Sequence, residues 1–262
     1  MKAKNKIRRY YNLISCFSNW PQYLRFKAFG QQEAFDFQLK NGFSVRVPRQ
    51  MLSPFRECFF DQVYLKHFSS GVAHATSPTI IDVGANVGFY ALSMFYKYPQ
   101  ATIYSFEPMP FNFRMLNQYQ KTYPSFAWHV DERAVSESDK AITLHTSGIE
   151  SFTTMASVFN KGSNHQRIEV AAISLPQIVE TYGIEHIDIL KLDCEGAEYS
   201  ILYTLPEDLL KSIGMLVIEA HQGNQSGENT EALVLYLRER GFSLSYLSEE
   251  KAGYIWAWRE QG

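Results

Sequence analysis

The sequence is poor in the features that mark specialised chains. It holds three cysteines, Cys16, Cys58 and Cys194, an odd number at wide spacing, which spells neither a disulfide scaffold nor a zinc site. A reducing, cytoplasmic setting is therefore expected. The segment Asn12 to Trp20 is short and broken by Asn and Ser, so neither a secretory leader nor a transmembrane segment is expected. An excess of one charge is missing too. The chain has 25 basic and 27 acidic residues, and no global field favours nucleic acid or a strongly acidic partner. Internal repeats and low-complexity tracts are absent.

What is present is apolar material: 45% hydrophobic and 15% aromatic residues in 262, enough for one large core plus an appendage. Met1 to Tyr11 carries Lys2, Lys4, Lys6, Arg8 and Arg9. It reads as a solvated basic helix start, with attraction to an anionic surface as the alternative. Phe35 to Val47 alternates apolar and polar residues around Asn41-Gly42, a β-hairpin signal. Phe55, Phe59, Phe60, Tyr64 and Phe68 fall at near-helical spacing, which predicts a helix capping a sheet or a substrate lid.

After Pro78, short apolar runs alternate with helix-like stretches, the pattern of a sheet with crossover helices. Strands are expected at Thr79 to Val83, Thr102 to Phe106, Phe126 to Val135, Ile187 to Leu192 and Met215 to Ala220. Phe242 to Leu247 and Tyr254 to Trp258 close the set as an antiparallel edge hairpin. Helices are expected at Phe89 to Tyr98, Pro110 to Tyr123, Leu175 to Tyr182, Ala197 to Leu205 and Glu231 to Arg240. Ser136 to Gln166 reads as surface hairpins or loops beside the site, in place of a crossover helix. The expected fold is thus α/β, a doubly wound, mostly parallel seven-stranded sheet with helices on both faces. Residues 78–262 would form that domain and 1–77 an extension of basic helix, hairpin and cap helix.

The strongest local signal is Asp82-Val83-Gly84-Ala85-Asn86-Val87-Gly88, where the first of these strands turns into its helix. Gly84 and Gly88 permit close backbone approach, and the helix start offers unpaired N–H groups to an anionic ligand end. Glu107, closing the second strand, can accept both hydroxyls of a ribose. The pair describes a nucleoside-type site. A dinucleotide loop reads G-x-G-x-x-G, but Asn86 takes the second glycine position and Phe89 the third. This argues against a nicotinamide-dependent oxidoreductase, which stays as the runner-up enzyme class.

These residues resemble the FkbM-type methyltransferases, within the class I group that uses S-adenosylmethionine. The resemblance rests on the glycine segment, on Phe106-Glu107-Pro108, on Ala134-Val135-Ser136 and on the run from Lys191 to Glu198 (KLDCEGAE). It implies a Rossmann-like fold and S-adenosyl-L-methionine as cofactor. Gly84, Asn86 and Gly88 would hold the methionine moiety with Asp82 beside it, Glu107 the ribose, and Ala134 would lie near the adenine. The chain departs from the family where Ser174-Leu175-Pro176 replaces a frequent Thr-Leu-Asp step.

Open α/β sheets bind ligands beyond the carboxyl ends of their strands, which points to Asp193, Glu195, Glu219 and His221. Alignment of donor and acceptor accounts for about 7 to 11 kcal/mol of such a transfer, and a general base adds about 10² to 10⁴-fold for a hydroxyl. His221 is the first choice for that base, with a surface histidine as the plain alternative, and Glu219 could orient its ring. A second scheme uses Mg²⁺ held by Asp193 and Glu219 or His221, resembling catechol-type O-methyltransferases. Glu195 and Glu198 would hold Lys191 or cap the following helix. The acceptor implied by the resemblance is a sugar, glycan or secondary-metabolite hydroxyl. A non-catalytic nucleoside-binding module is the third reading.

Overall fold

The structure, a computed structural model, describes residues 2–68, 75–146, 148, 152, 166–248 and 252–260, with the side chains of 2–6 excepted. Two helices come first, α1 (Lys2–Cys16) and α2 (Trp20–Phe29), then an antiparallel pair, β1 (Ala34–Gln38) and β2 (Ser44–Pro48). The hairpin closes as expected: the N–H of Leu39 meets the carbonyl of Phe43 at 2.9 Å, and Gly42 takes φ +102°. Such a three-residue connection needs a positive φ at its last position, which glycine adopts without cost from a Cβ.

The expected cap helix is real only in part. A short α3 (Leu52–Arg56) widens into a π turn, Glu57–Asp61, which Gln62 ends at φ 47° before a 3₁₀ turn, Val63–Leu65. The wider turn brings Phe55, Phe59 and Phe60 all inward, each at most 1% exposed. Apolar spacing alone does not distinguish a π turn from an α turn.

The sheet domain runs β3 (Thr79–Val83), α4 (Phe89–Lys97), β4 (Thr102–Phe106), α5 (Pro110–Thr122), β5 (Ala127–Asp131), β6 (Ala134–Ser136), β7 (Ile142–Thr146), β8 (Gln166–Val170), β9 (Ala172–Ser174), α6 (Leu175–Tyr182) and β10 (Ile187–Leu192). It continues through α7 (Glu198–Thr204), α8 (Glu207–Lys211), β11 (Ile213–His221), α9 (Thr230–Glu239), β12 (Ser243–Leu247) and β13 (Ala252–Trp258). Seven strands form one sheet in the order β12-β13-β11-β10-β3-β4-β5, all parallel except β13. This is a doubly wound, Rossmann-like arrangement. The closing hairpin is present, but its second strand inserts beside β11 and leaves β12 at the edge.

Alternation along the strands assigns side chains to two cores. Ile80, Ile103, Ile189 and Met215 face α4, α5 and the extension. Ile81, Tyr104, Leu190 and Leu216 face α6 to α9. Both sides are covered, so these strands read as nearly continuous apolar runs.

One expectation needs correction. The strand expected from Phe126 to Val135 breaks after Asp131, whose Oδ1 accepts the N–H of Arg133 at 2.9 Å while its Oδ2 holds the guanidinium at 2.6 Å. That local turn redirects the chain, and β6 pairs with β9 instead of extending the sheet. In the stretch from Ser136 to Gln166, expected as surface hairpins or loops, β7 pairs with β8 as a hairpin, while residues 147, 149–151 and 153–165 lie outside the described residues.

Phe17, Phe37, Phe55 and Phe59 of the extension belong to the same core as Ile80 and Phe89 of the sheet domain. Phe55 stacks on Phe37 at 4.4 Å and meets Phe89 edge-on at 5.2 Å. Phe55→Ala is therefore expected to cost about 3 to 5 kcal/mol. Urea unfolding read by tryptophan fluorescence and by far-ultraviolet dichroism should show one shared transition. Two separated transitions would mean that the extension folds apart from the sheet.

Candidate functional site

The loop after β3 is pressed against the end of β10. Gly84 has φ +72°, and a Cβ there would lie 1.8 Å from the carbonyl oxygen of Asp193, a distance no side chain can satisfy. The N–H groups of Gly84 and Ala85 both reach the carbonyl of Phe106, at 3.0 and 2.9 Å. Asn86 continues the left-handed path at φ 53°, which its short side chain supports by accepting the N–H of Val87 at 2.8 Å. Gly88 begins α4 at φ +90°, where a Cβ would strike Leu116 and the ring of Trp128 at 2.7 to 2.8 Å.

Glu107 lies beyond the end of β4 and is 5% exposed. Its Oε2 accepts the N–H of Asn86 at 2.8 Å and its Oε1 that of Met109 at 2.9 Å. Burial pushes this carboxyl up to about 7, against the pull of those N–H groups. The Asn112 side chain is a third donor to this carboxyl, which leaves one of its four lone-pair directions for a ligand donor. A cleft opens beside it, lined by Gly84, Asn86 and the apolar Ala134, Val135, Ile142 and Leu144. A second cavity, of about 290 Å³ and bordered by Glu57, Tyr64, Lys191 and Glu219, shares Gly84, Asn86, Asp193 and Glu195 with the first.

Gly84, Asn86, Glu107 and Ala134 therefore meet at one cavity. Asp82 and Gly88 stand behind it: Gly88 is committed to packing, and Asp82 is fully buried. The Asp82 carboxylate faces the ammonium of Lys191 at 3.2 Å and the hydroxyl of Ser105 at 3.3 Å. Lys191 also donates to the carbonyls of Val83 (3.2 Å) and Gly84 (2.8 Å), lies 3.5 Å from Asp193, and faces the rings of Tyr64 and Tyr90. Burial opposes its charge, but the two carboxylates overcome that and hold the ammonium protonated. The partners expected for Lys191, Glu195 and Glu198, are not the ones it takes.

Glu198 has another task. Its carboxylate is fully buried, accepts the N–H groups of Cys194 (3.1 Å) and Gly196 (2.9 Å), and holds His221 Nδ1 at 2.9 Å. It thus ties down the loop that leads into α7 and orients the imidazole, the role expected of Glu219. Glu219 Oε1 is instead 4.0 Å from Nε2 of His221, while its Oε2 and Asp193 Oδ2 each lie 3.1 Å from the hydroxyl of Tyr64. Glu198 raises His221 to about 10, with help from Asp193 and Glu195, against the opposing effect of burial. Burial and Asp193 push Glu219 up to about 7. The imidazole is therefore charged at neutral pH, with its Nε2 3.7 Å from Glu195 Oε1. Asp193, Glu219 and His221 each offer one ligand atom, all within 4.8 Å of one another.

Glu57 carried no sequence signal, and Tyr64 only that of the aromatic spacing from Phe55 to Phe68, since neither lies in a motif. Glu198 did carry one, an acid in the first turn of a helix, but only the fold places it beside His221. Cys194 is half-buried, and burial, then Glu198, keeps its thiol well above the ordinary range, so it is not poised as a nucleophile.

Three of the pKa shifts, at the site itself, bear on the pH dependence of stability. His221, raised from 6.5 to about 10, contributes stability that is full below 6.5 and is lost as pH rises through about 10. Glu107 and Glu219, each raised from 4.5 to about 7, are best accommodated protonated, so their contribution is lost as pH rises from 4.5 through about 7. The melting temperature of the free protein should fall on going from mildly acidic to alkaline buffer. His221→Gln should flatten the upper part of that decline. A melting temperature that climbs over the same range would contradict these directions.

A glycine bend against a buried strand-end carboxylate, in a seven-stranded sheet with one reversed strand, defines the class I methyltransferase architecture. Residues 82–244 match the methyltransferase FkbM domain, and the chain belongs to that family. It is 28% identical over 217 residues to the 31-O-demethyl-FK506 methyltransferase FkbM of Streptomyces tacrolimicus, covering 72% of this chain and 81% of that one. Similarity to the hexuronic acid methyltransferase AglP of Haloferax volcanii is 26% over 152 residues, 58% of this chain and 59% of that one. Among solved structures, the methyltransferase FkbM of Methylobacillus flagellatus superposes with a TM-score of 0.50 at 14% identity, over 80% of this chain and 54% of that one. That likeness supports the fold.

Proposed function

We propose that the chain transfers the methyl group of S-adenosylmethionine to a hydroxyl of a sugar, glycan or secondary metabolite. The observation that carries this reading is the Glu107 carboxylate, buried yet aimed into a cavity whose far wall is apolar. It suits a ribose, with the adenine beside Ala134 and Val135 and the methionine end beside Gly84 and Asn86. The similarity to a 31-O-demethyl-FK506 methyltransferase and to a hexuronic acid methyltransferase favours such acceptors. A cytoplasmic setting is part of the same reading; no helix among the described residues is long and apolar enough to cross a membrane.

When bound, S-adenosylmethionine supplies a methyl group on a sulfonium, an excellent leaving group, so aligned positioning is the main demand on the protein. Residues 78–262 would bind it, while 1–77 supply Glu57 and Tyr64 to the acceptor side. Glu219, at about 7, is the group able to take the hydroxyl proton at neutral pH. His221, held charged by Glu198, donates a hydrogen bond to the acceptor rather than taking its proton. Asp193 and Tyr64 hold Glu219 in place. Mg²⁺ fits this donor set poorly, because the Lys191 ammonium lies 3.5 Å from Asp193 and magnesium favours oxygen ligands over imidazole.

Calorimetric titration with S-adenosylmethionine and its demethylated product should show saturable binding, and Glu107→Ala should weaken it by about 1.5 to 3 kcal/mol. Ribose hydroxyls donate to the ionised carboxylate, so affinity should fall as pH drops below about 7. No heat with either compound, with NADH saturating the cavity instead, would favour the oxidoreductase.

Release of S-adenosylhomocysteine across a panel of hydroxylated acceptors tests the chemistry. Glu219→Gln should lower kcat by about 10² to 10⁴-fold with cofactor affinity unchanged, and a chelator should leave turnover unchanged. Binding without release on any acceptor would point to the non-catalytic module. Loss of turnover with chelator would restore the magnesium scheme.

A further inference from the structure

Helix α1 is apolar on two opposite sides. One stripe, Leu13 and Cys16, is buried at 2% and 4% exposure. The other, Ile7, Tyr11 and Ile14, recurs at the i, i+4, i+7 spacing that aligns residues on one side of a helix. These residues are 72%, 70% and 43% exposed, with Tyr10 beside them at 46%. Single exposed apolar residues are ordinary, but a continuous stripe marks a contact surface.

Charge selects the occupant. The first 32 residues contain seven Lys or Arg and no acidic residue, and the remainder of the chain holds 18 basic against 27 acidic. Arg9 is neutralised by Asp61 at 2.7 Å on the inner side, whereas Arg8 is exposed and, among the described residues, meets only backbone carbonyls. Lys2, Lys4 and Lys6 belong to the same helix. A second copy seated on this stripe would bring two basic segments together, whereas an anionic surface would be attracted.

We propose that α1 lies in the plane of an anionic bilayer, with Ile7, Tyr11 and Ile14 in the interface and the basic residues at the headgroups. At 15 residues, α1 is too short to span a bilayer. The helix is fastened to the π turn by the Arg9–Asp61 pair and by Asn12 Nδ2 donating to the carbonyl of Phe60 at 2.7 Å. Glu57 and Cys58 of that turn line the second cavity, so the docked helix lies one segment from the cleft.

The test is flotation of the full chain with phosphatidylcholine vesicles carrying about a third phosphatidylglycerol. The wild type should float with these vesicles, and roughly tenfold less with pure phosphatidylcholine or in high salt. Ile7→Gln/Tyr11→Gln/Ile14→Gln should abolish flotation while leaving the melting temperature unchanged, since all three side chains are exposed. Wild-type protein that stays in the soluble fraction would overturn the proposal, as would a triple variant that floats equally well. So would sedimentation velocity showing a wild-type dimer that the triple substitution dissociates, without vesicle binding.

Discussion

The ammonium of Lys191 is the contact on which the site depends. Burying a charge costs several kcal/mol unless it is matched. Here two carboxylates, Asp82 from β3 and Asp193 just after β10, and two carbonyls of the glycine loop surround it. The ends of two adjacent parallel strands are thereby drawn together until Gly84 touches the Asp193 backbone. Tight closure aims the N–H of Asn86 at Glu107, and Glu107 in turn shapes the first cavity. Apolar replacement of Lys191 would leave Asp82 buried without a counter-charge.

Around the second cavity the electrostatics are mixed by design of the fold. Asp193 lies between a cation, Lys191, and a partly protonated acid, Glu219, and the Tyr64 hydroxyl bridges the two acids. Glu198 keeps His221 charged from a fully buried position. A cleft with one acid near neutrality and one fixed donor can both accept a proton and orient a hydroxyl. The extension takes part in this, since Tyr64 and Glu57 line the cavity and Tyr64 packs in the core that the extension shares with the sheet.

Much of this was legible in the residues. Thr79 to Val83, Thr102 to Phe106 and Ile187 to Leu192 are strands with the expected limits, because apolar runs of that length bounded by turn residues have few alternatives. The break at Asp131 was not legible, since an Asp followed two residues later by Arg is unremarkable until the turn is formed. The π turn at Glu57–Asp61 was equally silent. Aromatic spacing is shared by both helix types, and only the demand of the core for Phe55, Phe59 and Phe60 together selects the wider one.

What the sequence determined alone is local: the strand and helix rhythm, the bend at Gly84 to Gly88, and the carboxylate at Glu107 at the end of its strand. Period and turn chemistry encode these within a few residues. Tertiary structure decided the partnerships, Glu198 with His221, Tyr64 with Asp193 and Glu219, and Lys191 with Asp82. Those groups come from separate elements, and their meeting depends on strand order and register. Both are set by the packing of two cores, and no short stretch of sequence records them.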